Sequence, residues 1–287
     1  MTTARAASDR PVGRPPGRRP LPLRAELGRQ LRRRRTQGIA AFLVALPLIL
    51  LAAFAIGGSD GTDGTPGFVD LAQQSGANLV VFALFASTGF LLIVVTALFA
   101  GDPLPSEASW SSLRYLLTAP VRRGRLLRQK LLVAAFSTIA ALVFLPLWAL
   151  LVGGLAYGWG AYVSPTGDQL RLGVFLLRLL VVVVYLVLSL AQVGAIAFAI
   201  GVWTDAPLAA VGGAVLIMIV MLILDSISAL GGLRQALPGH YAFAWADALA
   251  PSIVWSDMAR GALWSVGWSV VLLSAAVWHF LRKDIVS

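Results

Sequence analysis

The 287-residue chain contains no cysteine, which excludes disulfide bonds, thiol catalysis and cysteine metal sites. Its two lysines, Lys130 and Lys283, follow Gln129 and Arg282, so the Gly-Lys-Ser/Thr end of a phosphate-binding loop is absent. The two histidines, His240 and His279, are far apart in sequence, and no paired carboxylates or activated serine stand out in the apolar blocks. We therefore expect no catalytic residue, metal or cofactor in this chain.

Charged residues are also scarce, at 13% of the chain, whereas hydrophobic residues make up 58% and the mean hydropathy is +0.82. A soluble domain of this size cannot bury so much apolar side chain, so the composition indicates a membrane protein. Crossing about 30 Å of hydrocarbon takes about 20 apolar residues in a helix. Six blocks approach or exceed that length: Gly38–Gly57, Asn78–Ala100, Leu131–Gly153, Gly173–Gly201, Pro207–Leu224 and Leu263–Leu281.

These blocks are predicted to be helices, because in lipid every backbone N–H and C=O must be paired internally. The predicted fold class is therefore an all-α polytopic membrane protein with six transmembrane helices. The first block also ends in a pattern that a signal peptidase could cleave, at Ala53–Ala55. Its apolar run exceeds the 7–15 residues usual for a signal core, which favours an uncleaved first span.

The charges of the connecting segments orient the spans. Segments 58–77, 154–172 and 225–262 together carry seven aspartates against three arginines, whereas residues 101–130 carry five arginines and one lysine against Asp102 and Glu107. The N-terminus and the Arg282–Lys283 tail are also basic. By the positive-inside rule, six spans with both termini in the cytoplasm place all the basic stretches there. We expect a multi-pass protein of the cytoplasmic membrane.

The N-terminal arm divides in two. Residues 1–22 are rich in proline and arginine and are predicted to be a disordered tail. In residues 23–37, Leu23, Leu27 and Leu31 recur every four residues among arginines, which predicts an amphipathic helix at the interface with membrane lipids. This helix either anchors the topology or packs as a connecting helix beside the loop 101–130. Nothing in the arm would read bases, so no nucleic acid is expected as a partner.

The cytoplasmic loop 101–130 contains a short amphipathic pattern. Apolar residues follow helical spacing from Trp110 to Leu117, and Pro120 ends the pattern. A helix of about ten residues is marginal alone, so it needs a surface to dock on. That surface is either lipid or a groove on a partner protein.

This loop resembles the loop between the second and third spans of type-2 ABC exporter permeases. Those permeases carry an acidic residue, then Gly-Thr-Leu-x-x-Leu-Leu-x-x-Pro-Val-x-Arg and a later lysine. In this chain Glu107 is near the acidic position, Leu113–Arg123 matches the core and Lys130 completes the match, while Ser111-Ser112 replace Gly-Thr. The segment Ser256–Gly261 and the charged end of the last span are similar to that family as well. In topology the resemblance covers residues 38–287, the predicted transmembrane domain.

The resemblance implies a permease that does not hydrolyse ATP itself. Two copies of a cytoplasmic ATPase subunit, which bind ATP-Mg, would dock on the loop and drive two paired permease subunits, identical or different. A hydrophobic or amphipathic cargo such as a drug, lipid or natural product is expected, because the spans offer almost no buried charge. The ATPase-coupling residues that the resemblance implies are Glu107, Trp110, Leu113, Arg114, Tyr115, Leu116, Leu117, Pro120, Val121, Arg122 and Arg123.

A different class of function remains open from the sequence. The same loop could belong to a non-transporting membrane anchor or regulatory partner that binds a cytoplasmic protein. The presence or absence of an ATPase subunit that copurifies with the chain separates the two hypotheses.

Segment 225–262 is neither a span nor an ordinary loop. Pro238-Gly239 and Pro251 divide it into two apolar pieces, which we expect to be short helices that dip into the membrane from outside. Asp225, Trp245 and Trp255 are candidates for an outer gate, with an interfacial cap as the alternative.

Few polar residues interrupt the spans. Arg178 is expected to extend to the interface, and Asn78, Thr138 and Gln192 to hydrogen-bond between helices.

Overall fold

Helices form nearly all of the part of the chain that this computed structural model describes, which comprises residues 23–57, 67–103, 105 and 123–282. The predicted tail 1–22 lies outside the described residues, as does the segment 106–122 of the cytoplasmic loop. In chain order the α-helices are α1 Leu23–Leu31, α2 Arg34–Gly57, α3 Phe68–Ala72, α4 Gly76–Thr88, α5 Leu91–Gly101, α6 Arg123–Tyr157, α7 Leu172–Thr204, α8 Pro207–Asp225 and α9 Trp255–Arg282.

Three short elements complete the described fold. An antiparallel hairpin pairs β1 (Tyr162–Val163) with β2 (Gln169–Leu170), and Gly167 in its turn has a φ of +89° that favours glycine. Two 3₁₀ helices, Ser228–Ala236 and Ala244–Leu249, connect α8 to α9. The hairpin is a small departure from the predicted all-α fold.

Five helices are long and apolar enough to cross a membrane: α2, residues 127–157 of α6, α7, α8 and α9. Large apolar side chains cover their outer faces; Leu177 of α7, for example, is 70% exposed and Leu180 is 62% exposed. Such a surface is stable in lipid and not in water. The structure therefore confirms a helical, multi-pass membrane protein.

The second predicted span is not one continuous helix, and the prediction of an unbroken helix over Asn78–Ala100 was wrong. The helices α4 and α5 meet at a bend of 61°. The hydroxyls of Ser87 and Thr88 both donate to the carbonyl of Leu84, at 3.2 and 2.7 Å, and Gly89 follows. Side-chain bonds of this kind compete with the helical ladder, and glycine weakens it further, so the helix breaks here.

Several helix limits also differ from the predicted blocks. The last helix begins at Trp255 rather than Leu263, and α6 begins at Arg123 rather than Leu131, because polar residues continue a helix beyond its apolar part. In the N-terminal arm the helix pattern is interrupted at Arg32–Arg33, so α2 already starts at Arg34.

The connecting segments gather at two ends of the bundle. At one end, the hydroxyl of Ser75 donates to the carbonyl of Ala161 at 2.9 Å, and the amide of Asn78 donates to the carbonyl of Val163 at 2.8 Å. We call this the hairpin end. At the other end, Arg33 and Arg35 pair with Asp102. We call this the arginine end.

The helix α7 lies at the centre of the bundle. It packs on α5, α8 and α9, and its residues Phe175 and Val193 are completely buried in the core. On the other side, α4 approaches α6 so closely that a Cβ added to Gly76 would lie 2.6 Å from the backbone nitrogen of Gly154. Small residues that allow such close backbone contact are typical of helix pairs in membranes.

Candidate functional site

The connection between α8 and α9, residues 226–254, is held against the bundle by a polar stripe on α7. Arg178, Tyr185 and Gln192 are seven residues apart, which is about two helical turns, so all three lie on one face of α7. We call residues 226–254 the folded-back segment. Each residue of the stripe donates to a backbone carbonyl in it.

The three contacts are spread along about 21 Å of α7, from the fourteen residues that separate Arg178 and Gln192. The guanidinium of Arg178 donates to the carbonyls of Ala248 at 3.3 Å, of Pro251 at 2.9 Å, and of Ala250. The sequence predicted only that Arg178 extends to the interface, and the structure adds its partners in the folded-back segment. A charged donor that satisfies three carbonyls stabilises a segment whose own backbone bonding is incomplete.

The deeper contacts are neutral. The hydroxyl of Tyr185 donates to the carbonyl of Tyr241 at 2.6 Å, and the amide of Gln192 donates to the carbonyl of Pro238 at 2.5 Å. Pro238 lies in a turn outside both 3₁₀ helices, so its carbonyl has no place in a helical ladder and accepts from Gln192 instead. Gln192 thus binds the folded-back segment rather than a neighbouring span.

Further contacts hold residues 236–241 of the folded-back segment against α8 and α9. Nδ1 of His240 lies 2.5 Å from a carboxylate oxygen of Asp225. The indole N–H of Trp264 donates to the carbonyl of Ala236 at 2.9 Å, which fixes the end of the first 3₁₀ helix on α9. A Cβ added to Gly261 would lie 2.5 Å from the Cβ of Tyr241, so the segment packs directly on the backbone of α9.

The three residues predicted as an outer gate have separate environments. Asp225 pairs with His240 at the end of α8. Trp245 is completely buried and its ring centroid is 4.5 Å from that of Phe85 of α4, while Trp255 is 57% exposed at the start of α9. The structure therefore places all three on or beside the folded-back segment without joining them into one constriction. Sequence reasoning missed Arg178, Tyr185 and Gln192 as its anchors, although their seven-residue spacing was readable.

The predicted ATPase-coupling residues from Glu107 to Arg122 lie outside the described residues, and Arg123 begins α6. The flanks of this segment are described. Asp102 pairs with Arg35 and, at 3.0 Å, with Arg33, and its side chain is only 10% exposed. On the other flank, Leu127 is buried against Phe280 near the end of α9. The same cluster contains Val202 of α7, whose neighbour Gly201 lies beside the carbonyl of Gly101, so both flanks are at the arginine end.

A cavity of about 550 Å³ opens beside the bend, toward the arginine end. It lies between α2, α5 and α8, and its lining is apolar except for Arg35. Phe90, at the break between α4 and α5, is part of the lining and is 57% exposed. A cavity of this size, with one cation and apolar walls, suits an amphipathic molecule.

The fold and these contacts define a helical, multi-pass membrane protein with a segment folded back onto its central helix. A family model described as "Protein of unknown function (DUF2705)" matches residues 41–286, and the chain belongs to that family. No curated protein and no solved structure matches the chain.

Proposed function

We propose that this chain is the permease subunit of an ATP-driven ABC exporter of the cytoplasmic membrane. A separate cytoplasmic ATPase subunit docks on residues 106–122 and supplies the energy. The resemblance of Leu113–Arg123 to the coupling loop of type-2 permeases is the origin of this proposal.

The position of the residues that flank that loop is the observation that carries the proposal furthest. Its flanks, at Asp102 and Leu127, both lie at the arginine end, together with Arg33 and Arg35. The positive-inside rule assigns an arginine-rich end to the cytoplasm, where an ATPase has access. A docking helix on the opposite side of the membrane could not contact a cytoplasmic ATPase subunit.

The path of the bent pair supports six crossings. The pair begins at Gly76, whose amide donates to the carbonyl of Gly158 at the hairpin end. It ends at Gly101, beside Ala210 of α8 and next to Asp102 of the arginine end. In this proposal α4 and α5 are one broken span rather than a loop that returns to the same side, so both termini are cytoplasmic.

The cavity beside the bend supports an amphipathic cargo. Its apolar walls accommodate a hydrocarbon or aromatic body. The guanidinium of Arg35 pairs with Asp102 through one nitrogen and has further N–H donors for a hydrogen-bond-accepting head at the polar end. The folded-back segment then provides the barrier at the hairpin end, which must yield when cargo leaves.

Copurification of an ATPase subunit tests the proposal. Leu116→Asp or Leu117→Asp places a charge on the apolar face of the predicted docking helix, and we expect loss of the ATPase while insertion of the permease is unchanged. Ser111→Asp is the matched control, because at 100° per residue it lies about 160° from Leu113 around the helix. A permease that retains its ATPase in the two leucine variants, or that has none under mild extraction, contradicts the proposal.

A further inference from the structure

A second cavity, of about 380 Å³, lies at the hairpin end and is separate from the one beside the bend. Four structural pieces surround it: α3, α4, the hairpin and the second 3₁₀ helix. Phe68, Phe82 and Phe85 supply an aromatic wall, and Asp247 supplies a carboxylate. An acidic group beside several aromatic rings is an arrangement that recognises organic cations.

The aromatic wall is built by contacts between the rings. The centroid of Phe68 is 5.2 Å from that of Phe82 and 5.9 Å from that of Phe85. Behind them, Phe85 packs on the buried ring of Trp245. Because the rings support one another, the wall is positioned before any ligand arrives, which lowers the entropic cost of binding.

Most polar side chains in the lining already have partners. Asn78 is bonded to the backbone of Val163, through its amide to the carbonyl at 2.8 Å and through its oxygen to the N–H at 3.0 Å. The hydroxyls of Ser164 and Thr166 are 2.7 Å apart, and Thr166 also donates to Asp168. These groups shape the pocket and are not available to a ligand.

The carboxylate of Asp247 differs from them. Within the described ranges no donor or cation pairs with it, and its backbone carbonyl alone accepts a bond, from Val254. Burial raises the pKa of Asp247, and the negative charge of Asp257 raises it further. A half-buried carboxylate without a partner is stabilised when a cation arrives.

We infer that this cavity is a binding site for an organic cation with an apolar body, such as a substituted ammonium ion, with Asp247 as the counter-ion and Phe68, Phe82 and Phe85 as the aromatic wall. A metal ion fits poorly, since calcium takes six to eight oxygen ligands. No group of three histidines or acidic residues gathers anywhere in the part of the chain that the structure describes. The inference does not depend on ABC transport.

Binding of benzyltrimethylammonium to the purified full-length protein in lipid nanodiscs tests the site, with the dissociation constant measured by titration calorimetry. We expect Asp247→Asn to weaken binding by about tenfold, as expected for loss of one partly desolvated charge contact. Phe68→Trp should strengthen binding, because tryptophan offers the best cation–π face. Asp225→Asn removes the same charge from a carboxylate that pairs with His240, and it should leave the affinity unchanged.

Two results would overturn the inference. One is equal affinity of the wild type and Asp247→Asn for the cation. The other is equally tight binding of the anion benzenesulfonate, which would identify the cavity as a nonselective apolar pocket. Since Asp247 has no protein partner to lose, the melting temperature of Asp247→Asn should match the wild type, so loss of binding reports on the site and not on folding.

Discussion

Replacement of Arg178 by methionine should release the folded-back segment from α7 while the rest of the bundle stays folded. The guanidinium supplies bonds to the carbonyls of Ala248, Ala250 and Pro251. A hydrogen bond to a charged group contributes about 1.5–3 kcal/mol, and three bonds that share one half-buried cation are not additive, so we expect a loss of about 3 kcal/mol.

Hydrogen exchange of backbone amides measures this loss locally. The N–H of Val254 donates to Asp247 and that of Ala246 donates to Phe243, so both report opening of the segment. A loss of about 3 kcal/mol corresponds to exchange about 100-fold faster at these amides, because 1.4 kcal/mol is tenfold. Amides inside α6 should exchange at the wild-type rate.

Two control variants sharpen the test. Arg171→Met removes the same charge from an exposed residue that lies two turns before Arg178, and we expect no change in exchange. Arg178→Lys keeps the charge but lacks the planar guanidinium that donates to three carbonyls, so it should speed exchange by less than Arg178→Met does. If Arg178→Met exchanges no faster than Arg171→Met at Ala246 and Val254, the anchoring role of the polar stripe is refuted.

Two further predictions concern packing and the arginine end. Gly261→Ala places a Cβ 2.5 Å from the Cβ of Tyr241 and should lower the free energy of unfolding by about 1–3 kcal/mol. Gly267 is on the same helix with open space around it, so Gly267→Ala should leave the stability unchanged. Equal melting temperatures for the two variants would contradict the packing described here. Asp102→Asn weakens the pairing with Arg33 and Arg35. Because the chain has no cysteine of its own, one spin label on α1 and one on α6 can be attached to introduced cysteines, and the distance distribution should be broader in the Asp102→Asn variant than in the protein that keeps Asp102. An unchanged distribution would mean that these pairs do not position α1.

The spans were predictable from the sequence because run length and hydropathy determine what can be inserted in a membrane. The block Gly38–Gly57 became α2, Arg34–Gly57, and the block Pro207–Leu224 became α8, Pro207–Asp225. The limits were less accurate where polar residues extend a helix. Arg123–Leu126 belongs to α6 although these residues precede the stretch that is apolar enough for a span, which begins at Leu127.

The bend and the anchors of the folded-back segment were harder to predict for a physical reason. Ser87, Thr88 and Gly89 signal a weak point, yet a weak helix bends only if tertiary packing favours it. The stripe of Arg178, Tyr185 and Gln192 has a readable spacing, but its partners are backbone carbonyls, which any sequence supplies. The inferred cation site depends on Phe68 and Asp247, which are brought together only by the fold.

Membrane sidedness is the claim on which the proposed permease function depends. Because the chain has no cysteine, single cysteines at Thr118 in the loop and at Thr166 in the hairpin can be labelled with a membrane-impermeant maleimide in oriented vesicles. Labelling of Thr118→Cys from the cytoplasmic face and of Thr166→Cys from the opposite face is the predicted result. Labelling of both from the same face would mean that α6 does not separate them across the membrane, and the proposed permease would be contradicted.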